Sequence, residues 1–99
     1  MNVHFSPKAR RRVRLVGTWW RKNRPDAPAL FDDELDEVIE KLRNGKPIGA
    51  VYRDLDGEVV WRVLLPTSAQ HVYYGVDKAN AETVIYTVWG AHRGRGPKL

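Results

Sequence analysis

The hydrophobic period of this chain changes once, at Gly49, and that change restricts the fold more than any other feature. Upstream, apolar residues recur at helical spacing: Ala9, Val13, Val16 and Trp20, then Phe31, Leu35, Val38 and Leu42. Downstream they alternate. Val59, Trp61, Val63 and Leu65 share one strand face opposite Val60, Arg62 and Leu64, and Val72, Tyr74 and Val76 lie opposite His71, Tyr73 and Gly75. In the last run Val84, Tyr86 and Val88 are expected on one side, with Ile85, Thr87 and Trp89 on the other.

Local signals set the boundaries. Asn2 to Phe5 reads as a short strand. Ser6-Pro7 then reads as a helix start, because the serine hydroxyl can accept a free backbone N–H and proline at the first helical position loses no hydrogen bond. Gly17 weakens this helix by about 1 kcal/mol relative to alanine, and Asn23-Arg24-Pro25 stops it. Asp26 is expected to cap the second helix, which Asn44-Gly45 closes. Asp56-Gly57 marks a tight hairpin, Pro66 to Ala69 a turn, and Glu82 to Gly90 the final strand. The expected architecture is one α+β domain over residues 1–99. It has an N-terminal strand and an antiparallel helix hairpin packed on a mostly antiparallel sheet of about four strands.

With 42% hydrophobic residues and four tryptophans, the 99-residue chain has ample material for a core. The absence of cysteine excludes disulfides, thiolate nucleophiles and cysteine-bound zinc, and fits a reducing cytoplasm. The start, MNVHFSPKARRR, has no apolar core of a secretory signal, and no run of about 18 apolar residues would span a membrane. His4, His71 and His92 lack metal-site spacing, so neither metal nor cofactor is expected.

The net charge of +5 is unevenly placed. The first helical stretch holds Lys8, Arg10, Arg11, Arg12, Arg14, Arg21, Lys22 and Arg24, and no acid. The second is rich in acids, from Asp26 to Glu40. The simplest expectation is that the two helices neutralise each other in exposed pairs; the alternative is a basic nucleic-acid face with Trp19 or Trp20 available to stack. The chain then ends in Trp89-Gly90-Ala91-His92-Arg93-Gly94-Arg95-Gly96-Pro97-Lys98-Leu99, cations threaded between glycines. Such a tail can lie extended against an anionic surface.

Several segments together resemble the RelE/ParE superfamily of type II toxins. They are Phe5-x-Pro7-x-Ala9, Trp19-Trp20 before Pro25, the Pro47-x-Gly49 turn, Val60 to Pro66, His71-Val72-Tyr73-Tyr74-x-Val76, and Val88-Trp89-x-Ala91-x-Arg93-Gly94. The resemblance implies a toxin held inactive by a cognate antitoxin, with operator DNA reached only through that antitoxin. It also implies one of two targets. ParE-like members poison DNA gyrase, and the tail favours this reading, with Trp89, Arg93, Arg95 and Lys98 as the target-binding residues. RelE-like members cut mRNA on the ribosome. Under that alternative the catalytic residues would be Arg62, His71, His92 and Arg93, although Leu64 replaces a common lysine and the terminal tyrosine is missing. A third reading is an inactive member serving as a co-repressor. Trp19, Trp20 and Trp61 are candidate antitoxin contacts. The ordinary reading of the two histidines is structural: His71 a hydrogen-bonded strand residue, His92 a solvated loop residue.

Overall fold

The computed structural model describes residues 1–99, apart from the side chain of Leu55. Seven elements follow in order: β1 (Asn2–Phe5), α1 (Pro7–Asn23), α2 (Leu30–Arg43), β2 (Ala50–Leu55), β3 (Glu58–Leu65), β4 (Gln70–Asp77) and β5 (Glu82–Gly90). The sheet order is β1-β5-β4-β3-β2. β2 to β5 form an antiparallel meander, and β1 joins β5 in parallel, with Val3 opposite Thr83 and Phe5 opposite Ile85. The sheet is therefore mixed and has five strands where about four were expected. The chain leaves β1 through two helices instead of a tight turn, so β1 does not form a hairpin with the next strand and closes the far edge.

Ser6 does what its position predicts. Its hydroxyl accepts from the Ala9 N–H at 3.0 Å and donates to the Tyr86 carbonyl at 2.8 Å, tying the start of α1 to β5. The second helix departs from expectation. Asp26 does not cap it; Ala29 precedes the helix and supplies no side-chain bond. Pro28 restricts Ala27 to non-helical backbone and lacks an N–H, so the chain turns through residues 24–30 before helix begins. Asp32 and Asp33 place the favourable negative charge in the first turn instead.

One face of the sheet is covered by the helices. Phe31, Leu35, Val38 and Leu42 of α2, and Ala9 and Val16 of α1, are buried against Leu65, Val72, Tyr74, Ile85 and Val88. Gly17 lies at the helix contact: a Cβ there would stand 3.2 Å from Arg21 Nη1 and 3.4 Å from Asp32 Oδ1. Asp56 and Gly57 both adopt positive φ, 51° and 89°, as a two-residue hairpin turn with right-handed strand twist requires.

The strict alternation expected along β5 is broken. Tyr73 pairs with Thr87 but Tyr74 pairs with Ile85, so Tyr86 is an extra residue in a bulge. Ile85 and Val88 therefore both face the helices, fully buried, while Val84, Tyr86, Thr87 and Trp89 face the opposite side. Gly75 makes room for the bulged tyrosine; a Cβ there would lie 2.3 Å from Tyr86 Oη. Among the described residues no helix is long and apolar enough to cross a membrane.

Candidate functional site

The sheet face without helices carries the polar and aromatic side chains. β3 places Arg62 opposite Tyr73 and Leu64 opposite His71, and β4 places His71 opposite Trp89. A register shift between Val51 and Arg53 turns Tyr52 onto the same face, where its ring meets Tyr73 edge-on at 4.9 Å. The guanidinium carbons of Arg62 and Arg53 lie 5.1 and 5.5 Å from the Tyr52 ring centre. The His71 and Tyr73 rings are 6.1 Å apart. The acids of this face, Glu58, Asp77 and Glu82, sit at the other end of the sheet, on the far side of Gly75.

Arg62 is exposed, His71 is half-buried, and Tyr73 is only 2% exposed. Tyr73 thus supports its neighbours and does not touch solvent. Burial, and then the positive charge of Arg62, push the His71 imidazole below its ordinary pKa. His71 is neutral at pH 7 and free to accept a proton.

The tail is not an extended arm. The Trp89 indole N–H donates to the Arg95 carbonyl at 2.8 Å, Lys8 Nζ donates to the Lys98 carbonyl at 2.7 Å, and Pro97 is buried. Between them Gly96 passes so close to β2 that a Cβ would be 2.3 Å from Tyr52 Oη. The half-buried indole finds its acceptor in the tail's own backbone, which folds back over the sheet. The side chains of Arg93, Arg95 and Lys98 remain exposed.

The residues singled out by sequence therefore separate into groups. Arg62 and His71 come together, with Tyr73 beneath. Arg93 stacks on Trp89, its guanidinium carbon 4.1 Å from the ring centre. His92 does not join Arg62 and His71; it lines a groove of about 620 Å³ together with Arg12, Arg93, Trp19 and Trp20. These two tryptophans meet edge-on at 5.7 Å, and Trp19 is 50% exposed. Trp61 does not join them: it stacks on Tyr74 under the helix side of the sheet.

Two members of the site, Tyr52 and Arg12, escaped the sequence reading. Arg12 donates Nε–H to the Val88 carbonyl at 3.3 Å and reaches the Trp89 ring at 5.3 Å. Its only signal was its place in a basic helix. The expected neutralisation of that helix is largely missing. Among the described residues Arg21–Asp32 at 3.5 Å is the one ion pair that joins the two helices. One acid of α2, Glu34, is used elsewhere: its carboxylate accepts from the Thr67 and Ser68 N–H groups at 3.0 and 2.8 Å. Among the described residues no group of three or more His, Cys, Asp or Glu side chains is placed to hold a metal ion.

Comparison with protein-family models, curated proteins and solved structures yields no match to this chain.

Proposed function

We propose that this chain is the toxin of a type II toxin–antitoxin pair of the RelE/ParE kind, and that it acts on RNA through the helix-free face of its sheet. The observation that carries this reading is the juxtaposition of Arg62 and His71 above Tyr73. Cleavage through the 2′-hydroxyl needs a proton acceptor and a cation for the charge that develops on phosphorus. Neutral His71 fits the first role. Arg62, braced on Tyr52, fits the second. Leu64 beside them is 47% exposed and offers an apolar surface for a base. The cluster itself holds no second group that titrates near neutrality, so the reading assigns the base and the phosphate clamp and no acid.

Translating ribosomes programmed with a defined mRNA test this directly. Purified chain should leave discrete cuts mapped by primer extension, and Arg62→Gln and His71→Gln should each abolish them. Intact mRNA with wild-type protein would sink the reading.

Contact with DNA gyrase is the second reading, supported by the exposure of Arg93, Arg95 and Lys98 on a backbone already pinned at Trp89 and Pro97. A pinned backbone loses less entropy on binding than a free tail. A gyrase supercoiling and cleavage assay separates the two: trapped cleaved plasmid, lost on truncation after Ala91, would favour gyrase. In either case the antitoxin would cover cationic surface, and exposed Trp19, with half-buried Trp20 beside it, is the aromatic contact it could use.

A further inference from the structure

Arg12 and Arg93 approach the same aromatic ring. Their guanidinium carbons lie 5.3 and 4.1 Å from the centre of Trp89, whose orientation is held by its indole bond to the Arg95 carbonyl. Two like charges beside one ring repel each other, and a bound anion would offset that repulsion. Among the described residues no carboxylate pairs with either. Partial burial, and then the charge of Arg93, both disfavour the protonated form of Arg12, although an arginine stays charged at any ordinary pH.

Stacking also leaves the hydrogen-bonding edges of the guanidinium groups free. Arg12 spends Nε–H on the Val88 carbonyl and keeps its terminal nitrogens; the Arg93 side chain donates to no described group. Planar forks with open N–H edges match the oxygens of phosphate. Lys8 and Lys98 border the cleft of about 420 Å³ on one side of Arg12 and raise the potential there.

We propose that Arg12 and Arg93, seated on Trp89, form a phosphate-binding subsite for single-stranded RNA, beside the Arg62–His71 cluster but separate from it. The placement favours RNA over an acidic protein. Trp89, His71 and Leu64 are successive cross-strand neighbours, and Arg62 follows on the strand of Leu64. Two strand spacings and a two-residue step along β3, about 12 Å between backbones, thus separate Trp89 from Arg62, with the His71 ring between them. A line of charges interleaved with flat surfaces suits a nucleic-acid strand, whose phosphates alternate with bases that stack. The proposal rests on the RNA reading for its ligand, but not on cleavage.

The test uses the whole chain and NMR of the Trp89 indole and the arginine Nε–H groups. The probe is a short oligoribonucleotide, 2′-O-methylated so that it cannot be cut, with inorganic phosphate and a poly-glutamate peptide as separate arms. The oligonucleotide should shift the Trp89, Arg12 and Arg93 signals together. Arg93→Gln should weaken binding about tenfold and lower the salt dependence by about 0.7 in log–log slope, as for one lost phosphate contact. Arg12→Gln should do the same, and Arg93→Gln keeps the test valid if the loss of the Val88 bond unfolds that variant. Oligonucleotide binding that bypasses Trp89, or that is unchanged by Arg93→Gln, overturns the subsite. So does a response to phosphate or poly-glutamate with none to RNA. Intact mRNA with the wild-type chain, together with the Trp89 shift, would defeat the cleavage reading and leave this one standing.

Discussion

Arg62 and Tyr73 stand directly opposite each other across β3 and β4, and Tyr52 from β2 touches both. The Arg62 guanidinium is thereby aimed before any ligand arrives. An exposed arginine would otherwise lose rotamer freedom on binding, so this bracing favours a group that must meet charge in one place. Removing the charge should cost function and spare the fold. Arg62→Gln is expected to lower RNA cleavage by about 100-fold and to change stability by no more than about 0.5 kcal/mol. Tyr52→Leu should give a smaller loss, of about tenfold, by freeing the arginine. Cleavage rates set beside thermal unfolding of each variant distinguish the two effects.

The acid–base behaviour of His71 follows from its surroundings. Burial first, and Arg62 second, hold its folded pKa below the unfolded value of about 6.5. In the interval between the two values the unfolded chain binds more protons. The stability that neutral His71 contributes is therefore present above about pH 6.5 and is lost as pH falls toward the folded pKa. An NMR titration of the imidazole should place its midpoint below 6.5. Arg62→Gln should move it upward without restoring the ordinary value, because burial is the larger cause. A midpoint unmoved by that substitution would separate the two residues.

Glu34 is a stability element, reached from another part of the chain. Partial burial pushes its carboxyl up, but the N–H groups of Thr67 and Ser68, together with their side chains, outweigh this and hold it below the usual carboxylate range. Its contribution is present above the unfolded pKa of about 4.3 and disappears as pH falls through the lower folded value. Glu34→Gln turns an acceptor into a donor facing an N–H, and should cost about 1–2 kcal/mol at pH 7. Denaturant unfolding at pH 7 and pH 3 checks it: the difference between variant and wild type should shrink in acid.

Gly96 is the point at which the tail can be released. Any Cβ would press on Tyr52 Oη at 2.3 Å, and the tyrosine is itself held between Tyr73 and two arginines. Gly96→Val should lift the tail from the sheet and speed tryptic cleavage after Arg93 and Arg95 by about tenfold, since proteolysis tracks the population of the open form. Equal cleavage rates in the two proteins would mean that the contact does not hold the tail.

Much of this fold is legible in the chain because it depends on near neighbours. Ser6-Pro7 starts a helix, Asp56-Gly57 turns a hairpin, and Phe31, Leu35, Val38 and Leu42 form a buried stripe, each from spacing and local hydrogen bonding. The alternation within β3 and within β4 was equally readable, but only the register between them puts Arg62 on the side of His71 and Tyr73. Tertiary structure alone decided the rest. Whether β5 alternates strictly depends on how it registers with β4, and the bulge at Tyr86 reverses its phase so that Ile85 and Val88 both reach the core. The parallel pairing of β1 with β5, the return of the tail over Tyr52, and the meeting of Arg12 with Arg93 on Trp89 join residues about eighty positions apart or bring distant edges together. Periodicity is a local property of the chain, and such contacts form only when packing closes the sheet.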